Sequence, residues 1–384
     1  MIRATLLFLV IAGCKDAPAK QPPSPAPAPV EAPAKPALVI ESAAAALPGE
    51  LWFTVEGESR RVIALAHGKA RDIGTGSDEV FGALYPTAYR GKDGRVLGVT
   101  SFGDGRPDGE RLVWIGANGS ITTLGDPAMS VRDPALSPDG SWIVAAVQTE
   151  GVTNLVLFTV AGGQKPLTTD REGNFTPVAI NKDTIAFVSS RDGDSEVYRM
   201  NVDGTKVQRL TAFHREDYEP AIDASGKQLA FTSDREQKVP RIFAVVPDGT
   251  GVRRLTQRED PKAEESQVVW SPKNTAHFAY TLKRDGHALV VAVNGSVEKV
   301  LTPPGANDME VAFSPDGQWL VLVREHASHG TASHGTGASH GGHAHDHGGG
   351  ASLAELVAYP LPAGSGEPIV IARGAIRVPR WFRE

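Results

Sequence analysis

The chain has 384 residues, a formal net charge of −6 and a single cysteine. The modest acidic charge argues against binding to nucleic acid, which needs a basic surface. The lone cysteine excludes an intrachain disulfide, so any stability has to come from packing and hydrogen bonds.

The N-terminus has the features of an export signal. Arg3 precedes an apolar run, 6–12, that is shorter than the about 20 residues of a membrane span. The stretch Ile-Ala-Gly-Cys at 11–14 resembles the lipobox of bacterial lipoproteins, in which the cysteine is lipidated and becomes the first mature residue. We therefore predict a lipoprotein signal peptide over 1–13 and lipidation of Cys14. An ordinary cleaved signal is the alternative.

Residues 14–49 follow as a predicted tether, rich in alanine and proline in its first part. Such a composition cannot bury a core and forms a semi-extended spacer. In Gram-negative lipoproteins, aspartate directly after the cysteine favours retention in the inner membrane, but here Lys15 takes that place and Asp16 comes next. We expect a lipid-anchored envelope protein, with the periplasmic side of the outer membrane favoured over the inner membrane or the cell surface.

A short phrase, Leu-Thr or Leu-Gly, recurs along the rest of the chain. It begins at Leu124, Leu167, Leu210, Leu255 and Leu301, at spacings of 43, 43, 45 and 46 residues. Self-similarity at this period, with several short apolar runs in each unit, is the signature of β-propeller blades. We predict an all-β fold over 50–384, a β-propeller of four-stranded blades.

The two ends of this domain complement one another. The segments 51–55, 62–65 and 70–73 supply three strands without a first, and 377–382 supplies a first strand without the rest. Pairing the N- and C-terminal strands in one composite blade closes the ring and removes open strand edges. This blade brings the count to seven. Six blades is the alternative, if the weak unit 85–125 is misread.

Several turns resemble the WD40-like PD40 repeats of the TolB propeller family. The phrases that carry the resemblance are Ser-Pro-Asp-Gly at 137–140 and 314–317, Ser-Arg-Asp-Gly at 190–193, and the Leu-Thr blade endings. The resemblance covers about residues 50–384 and implies the propeller fold. The same blades occur in Tol-system proteins, in peptidase propellers and in many lipoproteins. TolB itself carries an α/β domain before its propeller, where this chain has the predicted signal and tether.

The last repeat is interrupted by a histidine-rich insertion. The excess over the blade period is roughly 25 residues, and it corresponds to 326–350, between predicted strands at 319–323 and 356–359. Glycine, alanine, serine and threonine dominate the rest of this tract, so we predict a disordered loop. Its candidate metal ligands are His326, His329, His334, His340, His343, His345, Asp346 and His347.

Clustered imidazoles bind Zn, Ni or Cu, and the sequence requires no other cofactor. Three interpretations of the tract stay open. It captures or buffers transition metal in the envelope, it is a pH-sensitive charge cluster, or it is repeat-slippage filler without a selected role.

One face of the predicted propeller collects long, charged loops. In a propeller, the connections from fourth to first strand and from second to third strand share a face. Here they include 169–174, 214–217, 258–265, 190–194 and 234–238. Functional sites concentrate on loops that a rigid scaffold holds, so we expect an envelope protein or peptide to bind this face.

Three carboxylates occupy like positions near the starts of predicted first strands, at the channel mouth: Asp133, Glu219 and Glu310. They would attract a cation or a basic peptide, and the alternative is solvated charges that protect strand edges. The chain contains no nucleophile elbow, P-loop, dinucleotide fingerprint or His-Glu-x-x-His motif.

The sequence thus favours a monomeric, non-enzymatic scaffold that binds a protein or peptide. Two alternatives remain, a metal-handling accessory lipoprotein that uses the histidine loop and a propeller hydrolase with a channel metal. Deletion of 326–350 separates the first two, and substitution of the three carboxylates tests the third.

Overall fold

A computed structural model gives the fold over most of the chain. It describes residues 37–56, 61–74, 81–102, 110–126, 128–326, 353–363 and 365–382. Within these ranges the secondary structure is β apart from one short 3-10 helix, Ser42–Ala46, and the all-β prediction is confirmed. No helix in the described part of the chain is long and apolar enough to cross a membrane.

The described strands form seven antiparallel sheets, which we number as blades 1 to 7 around the ring. We count the strands of each blade outward from the central axis. Each first strand contacts the first strands of both neighbouring blades, so the seven first strands enclose a central channel. The prediction of a seven-bladed propeller is therefore confirmed, and the six-bladed alternative is wrong.

Six blades take their four strands consecutively from the chain. Blade 2 contains Phe81–Arg90, Val96–Phe102, Glu110–Ile115 and Ile121–Thr123; blade 3 contains Ser130–Leu136, Trp142–Thr149, Val152–Thr159 and Gln164–Pro166; blade 4 contains Asn174–Ala179, Thr184–Asp192, Asp194–Asn201 and Gln208–Arg209. Blade 5 contains Asp217–Ile222, Leu229–Ser233, Arg241–Val245 and Arg253–Arg254; blade 6 contains Glu264–Trp270, His277–Arg284, His287–Asn294 and Val297–Val300; blade 7 contains Ala306–Phe313, Trp319–His326, Ala354–Pro360 and Ile369–Gly374.

Blade 1 closes the ring with strands from both ends of the domain. Its first strand is Ile376–Phe382, and Glu50–Val55, Arg61–Ala66 and Lys69–Gly74 follow outward. The hydroxyl of Thr54 donates a hydrogen bond to the carbonyl of its partner Arg377 at 3.0 Å. The predicted pairing of the terminal strands is confirmed.

A second junction joins the two ends of the domain at the outer rim. Val39–Ile40 adds a fifth strand to blade 7 by pairing with its fourth strand, Ile40 opposite Ala372. The 3-10 helix then leads the chain into blade 1. The segment before the first predicted strand therefore ties blade 7 to blade 1.

In three blades, the recurring threonine ties the end of the blade to its third strand. In three blades the threonine hydroxyl accepts a hydrogen bond from a third-strand N–H: Thr168 from Leu155 (2.9 Å), Thr211 from Val197 (2.9 Å) and Thr302 from Val290 (2.8 Å). All three threonines are buried. The repeated phrase is thus a structural device that satisfies a backbone donor where the fourth strand ends.

The core lies between the blades. Seven clusters of buried apolar side chains occur in the described residues, one for each pair of neighbouring blades. Between blades 1 and 2, for example, Trp52 and Phe382 stack edge to face with ring centroids 5.8 Å apart, beside Val113. Burial of such side chains stabilises the ring by about 2 kcal/mol each and makes it a rigid support for its loops.

Candidate functional site

The first strands share an unusual backbone feature at the channel. In six of the seven described first strands, one residue other than glycine has a positive φ at an irregularity in the strand register. These residues and their φ angles are Asp133 (49°), Thr176 (42°), Glu219 (51°), Gln267 (56°), Glu310 (55°) and Val378 (53°). A side chain in this region costs about 1 kcal/mol or more, so the surrounding structure has to hold each bulge in place.

The three predicted channel carboxylates are members of this set. Glu219 accepts the backbone N–H of Gln267 at 3.1 Å, and Glu310 accepts the backbone N–H of Val378 at 2.5 Å. In both cases the donor is the bulged residue of the next blade. These carboxylates therefore join neighbouring blades at the channel.

The channel carboxylates are not gathered into a metal site. Among the described residues, no group of three or more His, Cys, Asp or Glu side chains is placed to hold a metal ion. Asp133, Glu219 and Glu310 lie on blades 3, 5 and 7, with at least one other blade between any two of them. Burial raises the pKa of Glu310, and the N–H of Val378 lowers it.

A set of buried polar residues lies two places before the bulges in blades 4 to 7. Its members are Asn174, Asp217, Glu265 and Asp308, and all four are fully buried. Arginines at the ends of second strands bind three of them: Arg191 to Asn174 (2.9 Å), Arg235 to Asp217 (2.7 Å) and Arg324 to Asp308 (2.6 and 2.8 Å). Sequence reasoning missed this set, although the recurring Ser-x-Arg phrases at 189–191 and 233–235 were a visible signal.

The same arginines also cover aromatic rings of their own blades. The guanidinium of Arg235 lies 4.7 Å from the ring centroid of Phe243 and 5.2 Å from that of Phe231. Such cation–π contacts add to the stabilisation that charge pairing provides, because the guanidinium group is partly shielded from water. Burial raises the pKa of Asp217 to about 6 although Arg235 is bound to it. The buried polar residues and their arginines therefore stabilise the blades and support the loops of the long-loop face.

Partly exposed side chains surround the channel on the side of the long loops. They stand immediately before the bulges, and none of them is fully buried: Arg132, Phe175, Tyr218, Ser266, Met309 and Arg377. Burial raises the pKa of the Tyr218 phenol, and four nearby carboxylates raise it further: Glu219, Asp234, Glu264 and Glu216. The mouth thus combines apolar contact surface with an acidic side at blades 5 and 6 and an exposed arginine, Arg132, on blade 3.

A polar cleft of about 190 Å³ opens on the same face between blades 5 and 6. Its lining is Glu236, Gln237, Arg241, Arg254, Glu259 and Pro261. Arg254 binds Glu236 and Glu259 at 3.0 Å each, and Arg254 and Arg241 lie 3.6 and 3.8 Å from the buried Glu265. The acidic and basic side chains that line the cleft neutralise one another. The cleft therefore adds polar surface to the rim of the channel mouth.

The remaining predicted site residues lie outside the described residues. This applies to Cys14 and to His329, His334, His340, His343, His345, Asp346 and His347. The backbone of His326 ends the second strand of blade 7, opposite Ala306, and the third strand begins at Ala354. The described strands that flank the histidine tract are thus the second and third strands of blade 7, which pair with one another.

The family profile described as PD40, the TolB beta propeller domain, matches residues 91–262. This range runs from blade 2 into the loop before blade 6. These blades are PD40 repeats. The family resemblance seen in the turns and blade endings is confirmed.

The curated relatives that this chain matches include two kinds of protein. A TolB homolog of Chlorobium chlorochromatii is 28% identical over 36% of this chain and 30% of its own length. An uncharacterized peptidase of Bacillus subtilis, YuxL, is 28% identical over 50% of this chain and 29% of its own length. The chain thus spans about a third of the length of the curated relatives it matches.

Solved structures with the same fold include a TolB and several enzymes. TolB from Acinetobacter baumannii is 17% identical, with a TM-score of 0.50 over 88% of this chain and 67% of its own. A prolyl endopeptidase is 12% identical, with a TM-score of 0.59 over 87% of this chain and 49% of its own. At these identities the likeness shows the fold alone, and the chemistry of the PD40 propeller has to be argued from its site.

Proposed function

We propose that this protein is a non-enzymatic, lipid-anchored envelope propeller that binds a protein or peptide at the channel mouth on its long-loop face. The observation that carries the proposal is the composition of the mouth. Partly exposed Phe175, Tyr218 and Met309 stand beside an acidic side and an exposed arginine, on a frame of packed blades. The relation to TolB-type propellers supports a binding role.

The mouth has the chemistry of a protein-binding surface. Aromatic and methionine side chains supply the apolar contacts that dominate binding energy, and a polar rim excludes water and sets orientation. The carboxylates near Tyr218 favour a partner segment with basic residues, whereas Arg132 favours an acidic group on the side of blade 3. A peptide with charges of both signs fits this arrangement.

The tagged full-length protein tests this function by affinity capture from solubilised membranes, with and without a chelator. We expect one specific envelope partner that the chelator does not release. Tyr218→Ala and Met309→Ala should each lower its capture at least fivefold. Val297→Ala, on the outer strand of blade 6, is the control and should leave capture unchanged. Capture that is indifferent to both mouth substitutions contradicts the proposal.

The proposed anchor is a lipid on Cys14, followed by a tether that holds the propeller away from the outer membrane on its periplasmic side. The support is the lipobox-like stretch at 11–14 and the proline-rich segment behind it. Cys14→Ala should move the protein from the membrane fraction to the soluble fraction and abolish incorporation of a labelled fatty acid. Unchanged fractionation would refute the anchor.

The histidine tract supports metal handling as a second candidate function. It concentrates seven histidines within residues 326–350, in the connection between the second and third strands of blade 7. Deletion of 327–350 should remove binding of Zn²⁺, Ni²⁺ or Cu²⁺ in a titration and leave partner capture intact. A loss of metal resistance or uptake on deletion would favour this function, and partner capture that depends on the tract would contradict the separation of the two.

A further inference from the structure

A buried arginine fixes one wall of the polar cleft between blades 5 and 6. Arg241, at the start of the third strand of blade 5, is only 5% exposed. Its guanidinium donates to the backbone carbonyls of Asp260 and Ala263, in the loop that leads into blade 6. This loop carries Glu259 and Pro261 of the lining. The wall is therefore preformed, and both terminal nitrogens of Arg241 are already engaged.

A second arginine, Arg254, joins this wall to the opposite one. It lies on the fourth strand of blade 5, and its Nη1 donates to Glu236 and to Glu259 at 3.0 Å each. The two carboxylate oxygens are thus at most twice that distance, 6.0 Å, apart. The Nη2 of Arg254 donates to the carbonyl of Arg258. Both terminal nitrogens of this arginine are engaged as well, and the two carboxylates meet at one nitrogen atom.

The rim of the cleft keeps acceptors rather than donors. Within the described residues, Glu236 and Glu259 each use one carboxylate oxygen on Arg254, and the other oxygen of each makes no hydrogen bond. Their side chains are 43% and 82% exposed, so both carboxylates are accessible from solvent. An ionised carboxylate only accepts hydrogen bonds, so the open positions suit a group that donates.

A fully buried carboxylate lies behind the two arginines. The Oε2 of Glu265 accepts the backbone N–H of Ile242 at 3.1 Å and the hydroxyl of Thr256. Its Oε1 has no hydrogen-bond partner in the described part of the chain, and it lies 3.6 Å from Arg254 and 3.8 Å from Arg241. Together with the two carboxylates of the rim, three carboxylates share two guanidinium groups. An excess of buried and rim acceptors favours the approach of a cation.

The neighbouring charges are engaged outside the cleft or exposed to solvent. Asp260 pairs with Arg284 at 3.1 Å, and Arg258 lies 3.8 Å from Glu298. The two lysines of the same loops are exposed and form no ion pair with any described residue: Lys238 and Lys262. The acceptor capacity of the cleft is therefore left for a binding partner.

We propose that the cleft binds the cationic end of one lysine or arginine side chain, carried by the partner segment that lies across the channel mouth. The cation sits between Glu236 and Glu259, within ion-pair distance of both, with the charge of Glu265 behind them. The cleft volume of about 190 Å³ far exceeds the about 10–15 Å³ that a single water needs, so a side chain can enter. The inference deepens the proposed function and rests on it, because it names the residue type by which the partner is held.

The cleft is within reach of a segment bound at the mouth. Tyr218 lies on the first strand of blade 5, and Arg241 and Arg254 lie on the third and fourth strands. Neighbouring strands are about 4.8 Å apart, so the cleft is about 10–15 Å from Tyr218, the span of about four extended residues. The carboxylates around Tyr218 attract a basic segment to the same blade.

Titration of the full-length protein with N-acetyl-lysinamide and with N-acetyl-argininamide, followed by NMR, tests the site directly. N-acetylnorleucinamide, a neutral analogue with a straight apolar side chain, and Mg²⁺ are the comparison probes. We expect the cationic amides to bind, the tighter one naming the side chain, and the neutral amide to fail. Glu259→Gln should weaken binding about threefold, and the double variant Glu236→Gln with Glu259→Gln about tenfold. Glu172→Gln, an exposed carboxylate on the loop between blades 3 and 4, is the control and should bind like the wild type.

Folding is checked by thermal melting of the same variants. Glu259 is 82% exposed, so Glu259→Gln should melt like the wild type. Binding of the cationic amides that is unaffected in Glu259→Gln overturns the proposal, however the double variant folds. Equal binding of N-acetylnorleucinamide also overturns it, because the cleft would then not recognise charge. Displacement of N-acetyl-lysinamide by an equal concentration of Mg²⁺ overturns it too, because the cleft would then be a general cation site.

Partner capture separates this inference from the proposed function. A partner that is captured equally by the wild type and the double variant overturns the inference of a bound basic side chain and leaves the proposed function standing. If the wild type captures no partner but the cationic amides bind in a Glu259-dependent way, the proposed function fails and the site itself is supported.

Discussion

The buried pair of Asp217 and Arg235 makes a pH-dependent stability prediction. Asp217 is fully buried, and its bond to Arg235 is 2.7 Å long. Its pKa rises from 3.8 to about 6, with burial as the main cause. The stabilising contribution of this group is therefore fully present below pH 3.8 and is lost as the pH rises through 6.

Substitution of Arg235→Met removes the charge that, together with the hydrogen bond from Ser233, opposes the rise of the Asp217 pKa on burial. At pH 4.5, Asp217 is neutral in both folded proteins, so the variant loses only hydrogen bonds and ring contacts, about 1 kcal/mol. At pH 8, the wild-type carboxylate is ionised beside Arg235, and the variant loses this charge pairing as well. The total loss should then reach about 3 kcal/mol, the cost of leaving a buried charge without its partner.

Urea denaturation at pH 4.5 and pH 8 measures these losses. The double variant Asp217→Asn with Arg235→Met should recover at least 2 kcal/mol of the loss at pH 8, because no buried charge remains. Arg253→Met is the control, since Arg253 is exposed, and its effect should be small at both pH values. An equal loss for Arg235→Met at the two pH values would refute the reasoning.

Three further substitutions test the closure, the blade endings and a carboxyl group on the third strand of blade 2. Gly49→Ala should lower the free energy of unfolding by several kcal/mol in urea denaturation, because its φ is +70° and a Cβ would lie 2.4 Å from the carbonyl oxygen of Phe382. Gly295→Ala is the control, since its φ is +62° and a Cβ would meet open space, and it should cost about 1 kcal/mol. Equal losses for the two variants would contradict the closure argument. Thr302→Val should lower the free energy of unfolding by about 1–3 kcal/mol and Thr302→Ser by much less, because only the valine leaves a buried N–H without its acceptor. If calorimetry finds the two variants equally stable, the threonine does not have this role. Burial raises the pKa of Glu110 from 4.5 to about 7, so its contribution is present below pH 4.5 and lost as the pH rises through 7. Glu110→Gln should remove up to about 3 kcal/mol of that pH dependence in denaturation at pH 5 and pH 8, and an unchanged profile would show that burial does not set this pKa.

Much of the architecture could be predicted from the sequence because its determinants are local. The spacing of Leu124, Leu167 and the later phrases sets the length of a blade, and the turn glycines set where the strands reverse. The complementary segments 51–55 and 377–382 were enough to predict the closing blade. Blade period and turn chemistry depend on residues a few positions apart, and a single sequence displays them directly.

The buried polar groups could not be assigned in the same way. Asp217 and Asp308 resemble ordinary loop carboxylates in the sequence, because their arginine partners are 18 and 16 residues away on another strand. The sequence pattern showed that Glu219 and Glu310 occupy like positions, but it did not predict that each accepts a hydrogen bond from the next blade. Their donors lie 48 and 68 residues further along the chain.

The sequence by itself determined the repeat, the strands and the closing blade. Only the tertiary structure decided which charges are buried, which are neutralised and which are left without a partner. Desolvation and pairing are properties of the closed ring, whereas turn and period are properties of the chain.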